Sequence, residues 1–347
     1  GEPDGGSVSA YFSCANWGKR SLALDVADPA GLEVIRRLAA DSDVVIASYK
    51  PGDDVKLGLD PATLLELNPR LIYGQISAYG RDDPRPGFDA IIQAESGFTF
   101  LNGEPDGPPT KMPVALVDLL AAHHLKEGLL VALLQRHRTG AGRHVHVSLL
   151  DAAIASLANQ ASNYLVAGAV PQRMGSEHPN IVPYGAVYTL GDGRELVLAV
   201  GTERQWQALT KSLDRQDLDR DPRFADNRGR VSHRTELHAE LTGTFSRLSS
   251  AEAARRLGAA RVPYGFVNDM AAVFAQRGGD RLLLDHAGLR GVRSFAAEGV
   301  CTRTDLTPPP GYNADGASIL QQLGYDADAR AALARAGVWP GEAREPA

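Results

Sequence analysis

Residues 113–165 read PVALVDLLAAHHLKEGLLVALLQRHRTGAGRHVHVSLLDAAIASLANQASNYL, and the long apolar segments in this stretch decide the fold. Leucines recur at mixed three- and four-residue steps from Leu119 to Leu134. This spacing predicts a helix with a wide apolar face, buried on most sides. Arg136 and its two cationic neighbours suit a helix C-terminus, and Gly140 then turns the chain.

A short strand and a second apolar helix follow the first helix. Residues 144–148 alternate between polar and apolar side chains, which is typical of a strand. Asp151 then opens a predicted helix that runs from Ala152 to about Val166. A helix–strand–helix order of this kind favours a layered α/β structure.

Asp118 stands where the first apolar run becomes helical. An aspartate at this point is a preferred N-cap, because its carboxylate accepts hydrogen bonds from free backbone N–H groups. A carboxylate kept partly dry beside the helix dipole is also suited to act as a nucleophile. The residues alone leave both interpretations open.

The composition is that of an ordinary soluble globular enzyme. The chain has 347 residues, of which 44% are hydrophobic and 22% charged, and its net charge is −6. This balance gives no basic footprint for nucleic acid. The two cysteines, Cys14 and Cys301, imply no disulfide framework and fit a reducing compartment, so we predict a cytoplasmic protein. No apolar run is long enough to span a bilayer, and no zinc-type Cys/His spacing is present, so we expect neither membrane insertion nor a bound metal.

Strands and helices alternate through the first hundred residues. The predicted strands are residues 21–25, 44–48 and 71–76, and the predicted helices between them are 29–40 and 61–67. The β-branched run at 44–48 reads as a buried parallel strand. The alternation predicts a parallel sheet of the Rossmann-like α/β class.

Ligands of such sheets bind at the C-terminal ends of the strands. Lys50 follows the second predicted strand, and the loop from Ser77 to Gly80 follows the third. Lys19, Arg20 and Lys50 are candidate phosphate contacts, because lysine and arginine pair with phosphate oxygens. Solvated surface cations are the alternative interpretation of the same residues.

The pattern changes after Val170. Residues 187–190 and 195–200 flank a Gly-Asp-Gly turn and predict an antiparallel hairpin, and helices follow at about 233–247 and 251–258. Residues 262–267 match a strand of the family that the motifs below resemble. This part is predicted to be a second, smaller α+β domain.

A series of short motifs runs through the chain in a fixed order. They are Asn16-x-x-Lys19-Arg20-Ser21-Leu22, Pro51-Gly52, Leu67-Asn68-Pro69-Arg70, Ile76-Ser77-Ala78-Tyr79-Gly80, Gly87-Phe88-Asp89, Gln93-Ala94-x-Ser96-Gly97, Asp118, Arg136-x-x-Thr139-Gly140-x-Gly142 and Asp151-Ala152. Together they resemble the family III CoA transferases, the group of the formyl-CoA, carnitine-CoA and succinate/glutarate-CoA transferases. The stretches 162–165 and 175–184 are most similar to the members that handle dicarboxylates.

The resemblance implies an architecture. It implies a Rossmann-like large domain built from both chain ends, with the smaller α+β domain inserted, and two subunits that interlock as a homodimer. We therefore expect residues 1–170 and 290–347 in the large CoA-binding domain and residues 171–289 in the small domain. In the resembled family an opening strand–helix–strand unit precedes the loop found here at residues 1–7, so that unit is expected to be missing from this chain.

The resemblance also implies a chemistry. Asp118 is expected to be the nucleophile that carries CoA as an aspartyl-CoA thioester between an acyl-CoA donor and a carboxylic acid acceptor such as succinate or glutarate. CoA and acyl-CoA are then substrates, and no cofactor is bound permanently. The expected CoA contacts are Lys19, Arg20, Lys50, Tyr79 and Gly80. The loop Gly175, Ser176, Glu177 and His178 stands where family members carry a mobile loop over the intermediates.

Two alternatives remain. Related α-methylacyl-CoA racemases carry a histidine where this chain has Phe88, and a racemase needs two acid/base groups. Phenylalanine exchanges no proton, and His123 or His124 would have to substitute. The second alternative is a non-catalytic CoA-binding protein, which the expected absence of the N-terminal unit allows.

Overall fold

The computed structural model describes residues 9–276, 282–300 and 306–341, so residues 1–7 and Cys301 lie outside the described part. The helices are α1 Ala10–Ala15, α2 Pro29–Asp41, α3 Asp53–Lys56, α4 Pro61–Leu67, α5 Asp89–Glu95, α6 Phe98–Leu101, α7 Leu116–Thr139, α8 Leu149–Ala155, α9 Ala158–Ala167, α10 Glu203–Ser212, α11 Gln216–Arg220, α12 Asn227–Ser232, α13 Arg234–Phe245, α14 Ser250–Ala259, α15 Met270–Gln276, α16 Gly316–Gln322 and α17 Ala327–Arg335. The strands are β1 Val44–Ala47, β2 Ile72–Ser77, β3 Arg143–Ser148, β4 Tyr184–Thr189, β5 Glu195–Ala199, β6 Tyr264–Phe266, β7 Leu283–His286 and β8 Leu289–Val292.

Two compact units are formed. The first, here the parallel-sheet unit, comprises the described residues within Gly1–Gly87, Asp118–Ala152 and Arg277–Ala347. The second, the hairpin unit, comprises Phe88–Val117 and Ala153–Gln276. The domain boundaries at residues 170 and 289 stay a prediction.

The predicted parallel sheet is confirmed. Strands β1, β2 and β3 lie in that order and pair in parallel, with Val44 opposite Ile72 and Ile72 opposite Arg143. Helix α7 packs on one face of β2, where Gly74 is needed: a Cβ at that position would lie 3.1 Å from the Leu129 side chain. Residues of the opposite face, led by Tyr73, pack into an apolar cluster with α2 and α4.

Three expectations about burial and helix length are wrong. Helix α7 is not buried on most sides, because Leu119, Leu130 and Leu134 are 52%, 54% and 69% exposed. Strand β1 is not buried either: it lies at the sheet edge, and Ile46 is 64% exposed. The second apolar helix is broken into α8 and α9, since Ala158 adopts a positive φ of 49°.

Residues 21–25 form no strand. They are extended, but their hydrogen-bonding partners come from the C-terminal region instead of a neighbouring strand. The Asp25 N–H donates to Val338 O (2.9 Å), and the Ser21 N–H donates to the Asp315 carboxylate (2.9 Å). Leu22 and Leu24 pack against the apolar cluster of α16, α17 and Trp339.

The hairpin unit has its own core. Strands β4, β5 and β6 form an antiparallel sheet, as the Gly-Asp-Gly turn and the run at 262–267 predicted. Trp206, Phe224 and Phe245 are completely buried among its helices. Among the described residues, no helix has the length and apolar character needed to cross a bilayer.

Candidate active site

Asp118 is the third residue of α7, since the helix begins at Leu116. The N-cap interpretation of Asp118 is therefore wrong: a third residue lies inside the first turn. There its carboxylate is next to the positive end of the helix dipole. The side chain is exposed, so the partly dry setting considered from the sequence is not found in this chain alone.

Asp89, at the start of α5, takes over the capping role at the start of α7. Its Oδ1 accepts a hydrogen bond from the backbone N–H of Val117 at 2.9 Å. Only 11% of the Asp89 side chain is exposed, and Lys111 Nζ lies 3.9 Å from its other oxygen. One of the free N–H groups of α7 is thus satisfied by a residue far away in sequence, and Asp118 is not needed for that purpose.

Gln93 braces the segment that leads into α7. It is completely buried, and its amide oxygen accepts from the Met112 N–H at 2.9 Å. Its amide nitrogen donates to Asp89 Oδ2 at 2.8 Å and lies 3.4 Å from the Val114 carbonyl oxygen. Gln93 therefore fixes both the capping carboxylate and the chain just ahead of Asp118.

Lys50, Tyr79 and Gly80 follow the C-terminal ends of two adjacent parallel strands. Lys50 comes after β1 and is exposed, and Tyr79 and Gly80 come after β2. Gly80 has a φ of 134°, a conformation that strongly favours glycine. The Arg85 guanidinium carbon lies 3.8 Å from the Tyr79 ring centroid, so a cation already covers one face of this aromatic ring.

Lys19 and Arg20 precede the extended segment at residues 21–25. Lys19 is exposed. The Arg20 guanidinium donates to Gln322 Oε1 and to Ser318 Oγ, both at 2.8 Å. Arg20 thus ties its segment to α16, which is a structural role that the sequence did not reveal.

The loop Gly175–His178 belongs to the hairpin unit and is held by Arg234. The Arg234 guanidinium pairs with the Glu177 carboxylate and donates to the carbonyl oxygens of His178 (3.2 Å) and Pro179 (3.0 Å). The Gly175 N–H donates to Gly103 O, and the His178 N–H donates to Tyr184 O. Glu177 therefore acts as an anchor of the loop here, and its carboxylate is neutralised by an arginine.

An open pocket of about 330 Å³ lies beside this loop, within the hairpin unit. Its lining combines carboxamides with apolar side chains: Gln160, Asn163, Gln172, Asn180, Leu101 and Met174. Glu177 is the acidic member of the lining, and Arg234 balances its charge. A pocket of this size can hold a small organic molecule.

Comparison with known proteins identifies the family. Residues 1–285 match the family model described as CoA-transferase family III. This chain belongs to CoA-transferase family III. The resemblance read from the motifs is thereby confirmed, and so is the expectation of a CoA-transferring enzyme.

Among the similar curated family III CoA-transferases is the succinate–glutarate CoA-transferase of Agrobacterium fabrum, 38% identical over 78% of this chain and 68% of that protein. The human succinyl-CoA:glutarate CoA-transferase is 32% identical over 97% of this chain and 79% of that protein. The crystal structure of a CAIB/BAIF family protein from Brucella suis is similar, with a TM-score of 0.82, 36% identity, and coverage of 93% of this chain and 86% of that chain.

Family III membership gives a context for the residues that sequence reasoning missed. Asp89 and Gln93 appear in the motifs quoted above, but their contacts with residues 112–117 were not foreseen. Arg234 stands in an unremarkable polar stretch, and nothing in the sequence connects it with Glu177. In the described ranges, no group of three or more His, Cys, Asp or Glu side chains is arranged to hold a metal ion.

Phe88 lies at the start of α5 with 75% of its surface exposed. On α7, His123 Nδ1 lies 2.9 Å from Lys126 Nζ, so that imidazole accepts from a lysine. Phe88 carries no exchangeable proton, so position 88 does not supply the second acid/base group that a racemase needs.

Proposed function

We propose that this family III CoA-transferase moves CoA from an acyl-CoA donor to a small dicarboxylic acid, with Asp118 as the nucleophile. The observation that carries the proposal is the placement of Asp118 inside the first turn of α7 while Asp89 accepts the capping hydrogen bond. A carboxylate at the positive end of a 24-residue helix is in a setting suited to a nucleophile.

The reaction proceeds by exchange of acyl and thiolate groups on the Asp118 carboxyl. A carboxylate oxygen attacks the donor carbonyl, the C–S bond breaks, and CoA thiolate leaves a mixed anhydride. The thiolate then attacks the aspartyl carbonyl and releases the donor acid, which leaves an aspartyl-CoA thioester. The acceptor carboxylate repeats the two steps in reverse order and restores Asp118. No proton is gained or lost overall, and the thioester energy is conserved in covalent form.

An aspartate suits this route better than a serine. An acyl–carboxylate anhydride is reactive enough for the thiolate to reopen it, whereas an oxygen ester would accumulate. Each addition places negative charge on a carbonyl oxygen near the first turn of α7, where N–H groups and the helix dipole stabilise it. Since Asp118 is exposed in this chain alone, we expect the bound substrates to exclude water from it.

Acyl-CoA binding is assigned to the C-terminal edge of the parallel sheet. Lys50 and Lys19 are exposed cations for the phosphate groups, and Tyr79 and Gly80 form the turn after β2. Arg20 contributes mainly by fixing the segment beside Lys19. CoA is a substrate in this scheme, and no permanently bound cofactor is required.

A dicarboxylate acceptor is supported by the relatives, two of which are named for succinate and glutarate. The loop Gly175–His178 and the carboxamide-lined pocket beside it are the proposed acceptor region. Arg173 is the proposed partner of the second carboxylate: its guanidinium lies close to the Phe100 ring, and its Nε is buried without a hydrogen-bond partner.

We further propose that the active form is a homodimer. Leu119, Leu130, Val131 and Leu134 leave α7 with a largely exposed apolar side, and a second subunit would cover it. The measurement is sedimentation velocity of the wild type and of Leu134→Glu. A monomeric wild type would contradict this part of the proposal.

The nucleophile is tested with Asp118→Asn, which preserves side-chain volume. Transfer should fall to background while the circular dichroism spectrum stays unchanged. Incubation of the wild type with succinyl-CoA, followed by hydroxylamine or borohydride and peptide mapping, should modify Asp118. The matched control is Asp151→Asn, because Asp151 is likewise the third residue of its helix and should leave transfer intact.

Two results would contradict the nucleophile assignment. One is a folded Asp118→Asn variant that transfers CoA at a near wild-type rate. The other is exchange of the substrate α-hydrogen with deuterated water in the absence of transfer, which would indicate that Asp118 moves protons instead. A dicarboxylate preference would be contradicted by activity confined to monocarboxylic acceptors.

A further inference from the structure

A line of polar side chains lies on one face of the parallel sheet, toward the C-terminal ends of β2 and β3. His146 stands directly opposite Gln75, and Ser77 follows two residues later, so the three share a face. His144 precedes His146 on the same face, with ring centroids 6.2 Å apart. None of these side chains has a role in the transfer chemistry proposed above.

Ser77 connects this line to the turn that follows β2. Its Oγ accepts a hydrogen bond from the Gly80 N–H at 3.1 Å and lies 2.9 Å from His146 Nε2. A serine hydroxyl has a single hydrogen to donate. With Gly80 as donor to one lone pair of Ser77 Oγ, the hydrogen bond between Ser77 and His146 has two possible directions: a neutral imidazole with its proton on Nδ1 accepts the hydroxyl hydrogen, and an imidazole with a proton on Nε2 donates to the second lone pair.

The surroundings keep His146 neutral. Burial lowers its pKa from the usual 6.5, and the charge of Arg81 lowers it further, while Asp151 and Asp82 act in the opposite direction. His144, on the same strand, is the remaining titratable group beside it, and its pKa is lowered to about 4, first by burial and then by Arg81. The neutral imidazole is therefore the favoured form of His146 at neutral pH.

The turn is held at two points. One is the His146–Ser77–Gly80 relay, and the other is a backbone hydrogen bond from the Leu150 N–H to Ala78 O at 3.1 Å. Gly80 itself has a φ of 134°, which glycine adopts and most other residues do not. Of these two contacts, only the His146–Ser77–Gly80 relay depends on side chains. Within the relay, His146 is the residue whose charge can change near neutral pH.

We propose that His146 is a positioning residue for acyl-CoA: through its hydrogen bond with Ser77 Oγ it fixes the Tyr79–Gly80 turn in the shape that receives the substrate. The inference rests on the proposed assignment of this turn to acyl-CoA binding. It does not depend on which residue is the nucleophile, since it concerns affinity and not the covalent steps.

The test compares His146→Phe, Ser77→Ala and His146→Gln in the full-length chain. His146→Phe and Ser77→Ala should each raise the dissociation constant for free CoA, measured by calorimetry, and the KM for succinyl-CoA about three- to tenfold, with kcat within twofold. The double variant should be no worse than either single one. His146→Gln places an amide oxygen near the position of Nε2 and should restore most of the affinity.

The rescue by His146→Gln, together with a raised KM at nearly unchanged kcat, gives readouts that a purely structural role would not produce. The matched control is His144→Phe, a half-buried histidine of the same strand that makes no contact with Ser77, and it should bind CoA as the wild type does.

The outcomes separate this inference from the proposed function. Wild-type CoA affinity in a folded His146→Phe variant would overturn it, and so would an equal loss in His144→Phe. Loss of transfer in Asp118→Asn with unchanged CoA binding would leave it standing. If Lys50→Ala and Ser77→Ala both bound CoA with the wild-type affinity, this edge of the sheet would not be the CoA site. That result would overturn both the proposed CoA site and the positioning role of His146.

Discussion

Gln93 offers the sharpest test of how the chain positions Asp118. Its side chain is completely buried and holds both Asp89 and the segment at residues 112–114. Replacing it by leucine keeps the volume roughly constant and removes both the donor and the acceptor. The Met112 N–H and the Asp89 Oδ2 then lose the partners that lie 2.9 and 2.8 Å away.

The expected magnitude follows from these two hydrogen bonds. A buried polar group left without its partner costs about 1–3 kcal/mol. Met112 is 36% exposed, so water can replace part of the lost interaction there. We therefore expect the free energy of unfolding to fall by about 2–4 kcal/mol. The rate should respond more strongly, since a displacement of about 1 Å at a reacting group can cost roughly 100-fold in kcat.

Steady-state kinetics and urea unfolding together decide the matter. Gln93→Leu should lower kcat while the KM for acyl-CoA changes little, because Gln93 holds Asp89 and the segment before α7 and not the strand ends assigned to CoA. The matched control is Gln75→Leu: Gln75 is also a buried glutamine, and its amide donates to Asp54 at 3.3 Å. That variant should lose stability and keep its kcat. A destabilised Gln93→Leu protein with the wild-type kcat would refute the bracing role.

Three further predictions concern particular side chains. Arg230 has 3% of its side chain exposed and pairs with Glu203 at 2.7 Å. Arg230→Met should therefore lower the free energy of unfolding, measured by urea titration, by about 2–4 kcal/mol. An equal loss in the milder Glu203→Gln variant would argue against the arginine as the dominant partner. Arg234→Gln should release the loop that Glu177 anchors, and the amide hydrogen exchange rates of residues 175–180 should rise. The KM for the acceptor should rise as well, while the KM for acyl-CoA stays the same. Unchanged exchange rates would contradict this prediction. The pKa of His144 is about 4 in the folded chain and its usual value is 6.5, so the unfolded chain binds more protons between those two pH values. The free energy of unfolding should therefore fall as the pH falls from 6.5 to 4. His144→Phe should reduce this dependence of the free energy of unfolding on pH.

Local patterns predicted those elements whose partners are close in sequence. The Gly-Asp-Gly turn predicted the β4–β5 hairpin, and the alternation of strands with helices predicted the parallel sheet. Residues 21–25 have the same strand-like pattern, but they bond to residues about 300 positions later, including Asp315 and Val338. Periodicity shows that a segment is extended and does not show what it pairs with.

For the candidate site, the sequence predicts the central residue, which stays a prediction, and does not predict the residues that support it. The motif order identified Asp118, whereas its position inside the first turn depends on Asp89 accepting from Val117. A residue 28 positions away leaves no local signal of that contact. The break at Ala158 also left no local signal, since alanine is a good helix former and yet has a φ of 49° here.

The pairing of residues 18–25 with residues 307–341 has a consequence for how the protein is made. At about 5–20 residues per second, the ribosome needs roughly 15–60 s to add the 300 residues between them. During that time Leu22 and Leu24 cannot reach Leu320 and Trp339, the apolar groups that cover them in the finished chain. The hairpin unit can fold on the ribosome while this early segment waits, exposed and extended. We therefore expect nascent chains stopped before residue 306 to bind chaperones that recognise short apolar segments, with Leu22 and Leu24 at the contact.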